Sequence, residues 1–424
     1  MKMPARAVTI AGSVAAMLIA APTAAQVDQS LASRYFAEAE ALCRAESGRL
    51  WGVSLCGPMV FADPLTGTIA TNRPAPDAPR PRVLGYVNAA LEWGGERWSA
   101  FVWPMMPKDS AARAGLMLHE LFHRVQPGLG LFLPSAPALP DHLDTAEGRF
   151  WMQLEWRALA RALGNPGAER RAALADALAF RAARHRLAPL AAESERVVEI
   201  NEGLAQYTAT AATAASPEAA AADAVRQLAK VTGVESFVRT FAYPSGAAYG
   251  VLLDEWSPGW TRRIGSADDL GRLVMTAAGV EPAANADSAA KRYDAEALRA
   301  AEESREAKRA GRVALLRQRF VDGPVVVVPR GRNASFITNG VTPIPGAGTI
   351  YPTYRVSGEW GSLEAELVLV SADERTLALP APAPARLEGK SLSGEGWKVT
   401  LNDGWVVRPG ARKGDYEVIR APPR

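Results

Sequence analysis

A chain of 424 residues, 48% hydrophobic and 22% charged, has the make-up of a globular protein with room for two or three domains. Its formal charge of +3 at pH 7 includes Lys2 and Arg6 near the start, so the remainder is close to neutral and gives no reason to expect a nucleic acid or an anionic lipid surface as partner. Beyond the N-terminal segment no run reaches about 18 uninterrupted apolar residues, which argues against stable insertion in a membrane.

Lys2 and Arg6 precede an apolar run from Val8 to Ala21, and Pro22-Thr23-Ala24-Ala25 then offers small residues before Gln26. This is the pattern of a signal peptide over residues 1–25, and it predicts export to the periplasm or the extracellular space. In such a compartment Cys43 and Cys56 are expected to form one disulfide, worth about 2–3 kcal/mol in the chain-entropy picture.

Residues 30–47 carry a helical pattern, after which the texture turns extended. Trp51–Phe61, Thr68–Thr71, Val83–Val87 and Trp98–Trp103 read as strands of a small antiparallel sheet, with turn signals at Asp63-Pro64, Pro74–Pro81 and Gly94-Gly95. Asp109 or Ser110 caps a helix that runs to about Gln126, where Pro127 and Gly128 stop it. Further helices are expected over 144–163, 166–187, 190–213 and 221–240, the last after an Ala-rich piece of low complexity, and again after Tyr243. A long charge-rich helix from about Asp287 to Phe320 reads as a strut, with Glu302, Glu303, Glu306, Lys308 and Arg309 on its solvated face.

From Phe320 the chain breaks into short β-like runs between Gly and Pro: Val325–Pro329, Ala334–Thr338, Thr349–Val356, Ser362–Val370, Thr376–Leu379, Trp397–Leu401 and Trp405–Pro409. The expected fold class is α+β: a small sheet (about 50–103) and a mainly helical region from about 109 within residues 26–320, followed by an all-β module over 321–424, read as a sandwich.

Within the capped helix stands His119-Glu120-Leu121-Phe122-His123, an H-E-x-x-H run in a chain with only 4 histidines. Histidines four apart share one helix face and can grip a single Zn²⁺, and Glu120 lies beside them as the general base for a zinc-activated water. A catalytic zinc takes three protein ligands. The metzincin pattern would put a glycine and a third histidine where Gln126 and Leu129 stand, so that family is excluded.

Downstream lies Val198-Glu199-Ile200-Asn201-Glu202-Gly203-Leu204-Ala205. Its Asn201-Glu202-Gly203-Leu204-Ala205 portion resembles the N-E-G-x-A signature of aminopeptidase N-like metallopeptidases and, more loosely, the N-E segment of thermolysin; the chain thus resembles gluzincin-type peptidases. The resemblance implies Glu202 as the third ligand, completing a His₂Glu site for one zinc per chain, with Gly203 and Ala205 small enough for close helix contact. Rivals are His142, Asp144, Glu147, Glu155 and Glu199. Tyr243-Pro244-Ser245-Gly246-Ala247 resembles the Y-x-K-G-A segment of the same relatives, with Ser245 in place of lysine. That implies Tyr243 as the donor to the oxyanion, with Tyr249 as the alternative. Ala90-Leu91-Glu92-Trp93 lacks the glycine and asparagine of the loop that holds a free amine in those relatives, so aminopeptidase specificity does not carry over.

The expected activity is hydrolysis of peptide bonds in peptide or protein substrates, with the strand at Trp98–Trp103 aligning extended substrate. Two alternatives stand beside it: a non-catalytic exported protein with structural zinc, and a zinc hydrolase acting on another bond.

Overall fold

The computed structural model describes residues 26–64, 66–132, 134, 138–234, 236–331, 333–336, 340–382 and 389–422; the expected signal peptide lies outside them. The chain forms two compact units. The first comprises residues up to Pro140 with Glu155–Thr232 and Arg239–Ala286; the second comprises Asp141–Leu154, Gly233–Val238 and Asp287–Arg424.

In the first unit, α1 (Gln29–Glu46) starts at Asp28, whose side chain accepts from the Leu31 N–H, and ends at Ser47 in the left-handed region. Cys43, in its last turn, is disulfide-bonded to Cys56 as expected. Four strands follow: β1 (Met59–Ala62), β2 (Ile69–Thr71), β3 (Ala89–Trp93) and β4 (Glu96–Val102). Gly94 and Gly95, both at positive φ, close the tight β3–β4 hairpin. The order is β2-β1-β4-β3, and β1 runs parallel to β4, with Val60 opposite Ala100. The sheet is therefore mixed, not antiparallel: two hairpins lie side by side, and the long connection from β2 to β3 returns the chain so that β4 runs along β1. The strand expected at Val83–Val87 is a turn with Val83, Tyr86 and Val87 exposed, and Trp51–Phe61 becomes extended in the sheet only from Met59.

One sheet face is a small apolar cluster of Val60, Leu91, Trp93, Trp98 and Ala100. On the other, Phe61 stacks on Phe36 and meets Phe101 and Trp103. Helix α2 (Ser110–Val125) packs against β3 and β4, capped by Asp109 through the Ala112 N–H, and it buries Met117, Leu118, Leu121 and Phe122.

Next come α3 (Ala146–Gly164), whose first part belongs to the second unit, then α4 (Gly167–His185) and α5 (Ala191–Val198). A π-helical turn (Glu199–Gly203) leads into α6 (Leu204–Thr213). They are followed by α7 (Pro217–Lys230), α8 (Ala242–Trp256) and α9 (Leu270–Ala278). Helix α6 packs between α2 and α8. At the α8 crossing Gly203 and Gly246 touch backbone to backbone, so a methyl group on Gly246 would overlap Gly203.

In the second unit, α10 (Ala286–Ala290) and α11 (Ala295–Arg317) replace the expected single helix, because Asp294 takes a left-handed conformation between them. Glu302 is not solvated. It is 4% exposed, accepting from Arg149 Nε at 2.6 Å and Gln153 Nε2 at 2.6 Å. These contacts tie α11 to residues 141–154, and the second unit takes in both these residues and the helices from Asp287 on, which the sequence assigned to the region before 321.

Its strands are β5 (Val325–Pro329), β6 (Asn333–Phe336), β7 (Thr342–Ile344), β8 (Gly348–Gly358), β9 (Gly361–Ser371), β10 (Thr376–Pro380), β11 (Ser391–Gly394), β12 (Trp397–Leu401), β13 (Trp405–Pro409) and β14 (Tyr416–Arg420). Hydrogen bonding joins them into one ten-stranded sheet, antiparallel except for β5–β14, rather than the two sheets of a sandwich. The reason is length. The 11-residue β9 pairs with β8 along one side and with both β12 and β10 along the other. One face gathers Val326, Tyr354, Trp360, Leu363, Leu377 and Trp397 in a single core. At the coarse level, helices with a small sheet and a mostly antiparallel C-terminal sheet agree with an α+β class.

Candidate metal centre

On α2, residues four apart come round to the same face, and the Nε2 atoms of His119 and His123 lie 3.1 Å apart. The third donor comes from the π-helical turn: Glu202 Oε2 is 3.3 Å from His119 Nε2 and 3.5 Å from His123 Nε2. Donors about 2.0–2.1 Å from a tetrahedral zinc stand about 3.4 Å from one another, so the spacing and the His₂Glu chemistry both fit that ion. Among the described residues no other group of three or more His, Cys, Asp or Glu side chains is gathered in this way.

The neighbours fix the donors in place. Gln126 Oε1 lies 2.8 Å from His123 Nδ1, a contact that makes Nδ1 the protonated nitrogen and leaves Nε2 as an acceptor facing the cluster. The same amide donates through Nε2 to the Ile200 carbonyl at 3.0 Å, so one side chain links the two ligand-bearing segments. Gln206 hydrogen-bonds His119. Asn201 donates to Glu202 Oε1 at 2.9 Å and leaves Oε2 for the cluster. Burial, with the charge of His123, lowers the pKa of His119 more than Glu202 and Gln206 raise it; for His123, burial also lowers, but Glu202, Glu120 and Gln126 together outweigh it and its pKa rises. Burial would raise Glu202, but hydrogen bonds and charge from both histidines hold it well below the usual carboxylate range.

Glu120 is 6% exposed, and its Oε2 has no hydrogen-bond partner. Ser99 Oγ of β4 donates to the Glu120 carbonyl at 3.0 Å and pins this turn of α2 to the sheet. Burial pushes the Glu120 carboxyl up to about 7, with His123 pulling it down and Glu202 pushing it up.

Tyr243, in the first turn of α8, stacks on His119 with ring centroids 5.4 Å apart and planes 8° from parallel. Burial and the carboxylates of Glu202 and Glu120 raise its pKa, keeping the phenol protonated. Tyr249 lies elsewhere, wholly buried with its hydroxyl donating to Glu155 at 2.7 Å.

The rival ligands are occupied otherwise. Glu155 pairs with Arg184, Asp144 accepts from Ser236 and Phe237, and Glu147 pairs with Arg299; His142 is in the 141–154 segment of the second unit. Glu199 is held by two parallel bonds from Arg181, at 2.8 and 2.6 Å, and Arg181 also reaches Asp269 at 2.7 Å. Three residues apart on an ordinary helix, Glu199 and Glu202 would share a face. The wider π-helical turn separates them, sending one to Arg181 and the other to the histidines.

The cluster opens into a cleft of about 420 Å³ lined by Asn88, Ala89, Ala90, Arg97, Leu131 and Phe132 together with His119, Glu120, His123, Glu202 and Tyr243. A second cavity of about 1240 Å³ shares Asn88, His119, Glu120 and Tyr243 with it. The expectation that the Trp98–Trp103 strand accepts an extended substrate is corrected: β4 is hydrogen-bonded on both sides, by β1 and β3, and the free edge beside the cleft belongs to β3.

Of the residues the sequence singles out, the structure brings His119, Glu120, His123, Glu202 and Tyr243 to one cleft; Gln126, Gln206 and Arg97, which also border the cleft or meet the histidines, were not singled out as site residues. Gln126 had a legible signal, as an amide one turn after the second histidine; Arg97 had none, because its placement depends on strand register. Comparison with protein-family models, with curated proteins and with solved structures found no match to this chain.

Proposed function

We propose that the chain is an exported zinc metallopeptidase of gluzincin type, with one zinc held by His119, His123 and Glu202. The observation that carries this reading is the free, buried Oε2 of Glu120 in the same cleft as three converging donors. A structural metal site needs no such carboxylate, whereas a hydrolytic one needs a base. When bound, zinc supplies a Lewis acid that polarises a carbonyl and acidifies water.

The protein's own groups account for the rest. Glu120 takes a proton from the attacking water at Oε2 and returns it to the leaving amine. Tyr243 donates its hydroxyl hydrogen to the carbonyl oxygen as negative charge gathers there. The open edge of β3, beginning at Asn88–Ala90 in the cleft wall, offers backbone groups to an extended peptide. Gln126 and Asn201 hold their partners in the geometry the donors need. The disulfide Cys43–Cys56 supports an oxidising compartment and hence export.

Metal analysis of the purified protein followed by a chelator-sensitive assay on a mixed peptide library tests the reading. Near-stoichiometric zinc with hydrolysis lost on chelation is expected. Zinc without hydrolysis of any amide or ester favours a structural or binding role, and absence of zinc refutes both.

A further inference from the structure

Arg97 is the only arginine or lysine lining the 420 Å³ cleft, among the described residues. It stands on β4 two residues before Ser99, the residue bonded to the Glu120 backbone, so the two side chains leave the same face of the strand about 6–7 Å apart. Its cross-strand neighbour is Glu92 of β3. Their contact is long, 3.4 Å between Nη1 and Oε1, and Glu92 is 65% exposed, so water competes freely for the pair. Arg97 Nε is buried with no partner at all. A guanidinium that lines the cleft, 36% exposed and engaged only by a long contact to an exposed carboxylate, is set up to receive an anion in the planar, two-pronged manner of arginine.

We propose that Arg97 is a specificity-determining residue that binds a carboxylate of the substrate, supplied by an acidic side chain or by the peptide's C-terminus, while the chain lies along β3. The inference rests on the peptidase reading above. Glu120 and Glu202 would repel such a group in the absence of a cation, and Arg97 provides the fixed positive charge on this side of the cleft. The edge position of Glu92 allows it to swing out as the substrate carboxylate takes its place.

The test uses the zinc-loaded full chain and one pool of short peptides made in three matched forms: internal Glu with amidated C-terminus, internal Gln with amidated C-terminus, and internal Gln with free C-terminus. Cleavage is read by mass spectrometry, and binding of fluorescent versions is read on Glu120→Gln protein, in which hydrolysis is blocked. Wild type is expected to favour one carboxylate-bearing form over the all-neutral form by about tenfold or more. Preference for internal Glu assigns the side chain; preference for the free acid assigns the terminus. Arg97→Gln, which keeps most of the stem, should bring the ratio close to one, and Arg97→Glu should turn it against the carboxylate. Failure to discriminate both in wild-type cleavage and in Glu120→Gln binding, or an added Arg97→Gln substitution that leaves the discrimination unchanged, overturns the proposal. Absence of all cleavage overturns the peptidase reading instead, and the binding arm then decides the role of Arg97.

Discussion

Glu120 and Gln126 show how the last two turns of α2 and its cap divide labour. Glu120 presents a free carboxylate oxygen to the cleft, while Gln126 holds His123 and the Ile200 carbonyl at once. Gln126→Leu keeps the size of the side chain and loses both bonds; zinc affinity, measured by competition with a chromophoric chelator, should fall about 10–100-fold. Unchanged affinity would show that the link carries no weight. Tyr243→Phe removes only the hydroxyl and leaves the ring stacked on His119, so kcat should fall about 10²-fold with zinc content unchanged. Loss of zinc in that variant would instead make Tyr243 a support for the ligand set. The residue types were readable in the sequence because their chemistry demands a fixed helical spacing; the order in which second-rank amides meet them was not, since it depends on helices brought together from distant parts of the chain.

At the scale of elements, the π-helical turn and the Gly203–Gly246 crossing set where Glu202 points. Gly246→Ala places a methyl group against the Gly203 backbone, and the forced separation of α6 and α8 should cost about 1–3 kcal/mol in urea unfolding and weaken zinc binding in the folded protein. Behind the turn, Arg181 clamps Glu199 and Asp269. Burial would raise the Asp269 carboxyl, but the charge and hydrogen bond of Arg181, with the Arg272 N–H and His185, together outweigh it and hold the pKa below its ordinary value of 3.8. An acid whose pKa is lower in the folded state contributes stability that is present above the unfolded value and is lost as pH falls through the folded one. Asp269→Asn keeps the cap on α9 and removes the charge, so it should be less stable than wild type by about 1–3 kcal/mol at neutral pH, with the gap closing below about pH 4. A gap independent of pH would mean that the pair contributes through shape alone. The helices themselves were legible from periodicity and, at Asp109, from the cap. The π-helical turn was not, because it follows from partners on either side of Glu199–Gly203.

For the whole molecule, strand positions in the C-terminal module were largely readable, yet β7, β11 and β14 were missed and all ten strands join one sheet. Pairing is a long-range property, and short runs carry little record of it. For the same reason β4 looked like a substrate-binding strand when β3 holds the edge, and Glu302 looked solvated when Arg149 and Gln153 bury it. Reduction of Cys43–Cys56 should lower global stability by about 2–3 kcal/mol without removing zinc, since neither sulfur lies in the ligand group. The two histidines, Glu202 and Glu120 come together only in the folded chain, and the proposed hydrolysis rests on their joint action. The most direct test is a paired measurement on wild type and Glu120→Gln: zinc per chain and kcat/KM on the same preparation. About one zinc per chain in both, with hydrolysis reduced at least 10²–10⁴-fold in the variant, is the expected result. A Glu120→Gln protein that hydrolyses peptides at the wild-type rate, or a wild type fully active without zinc, would contradict it.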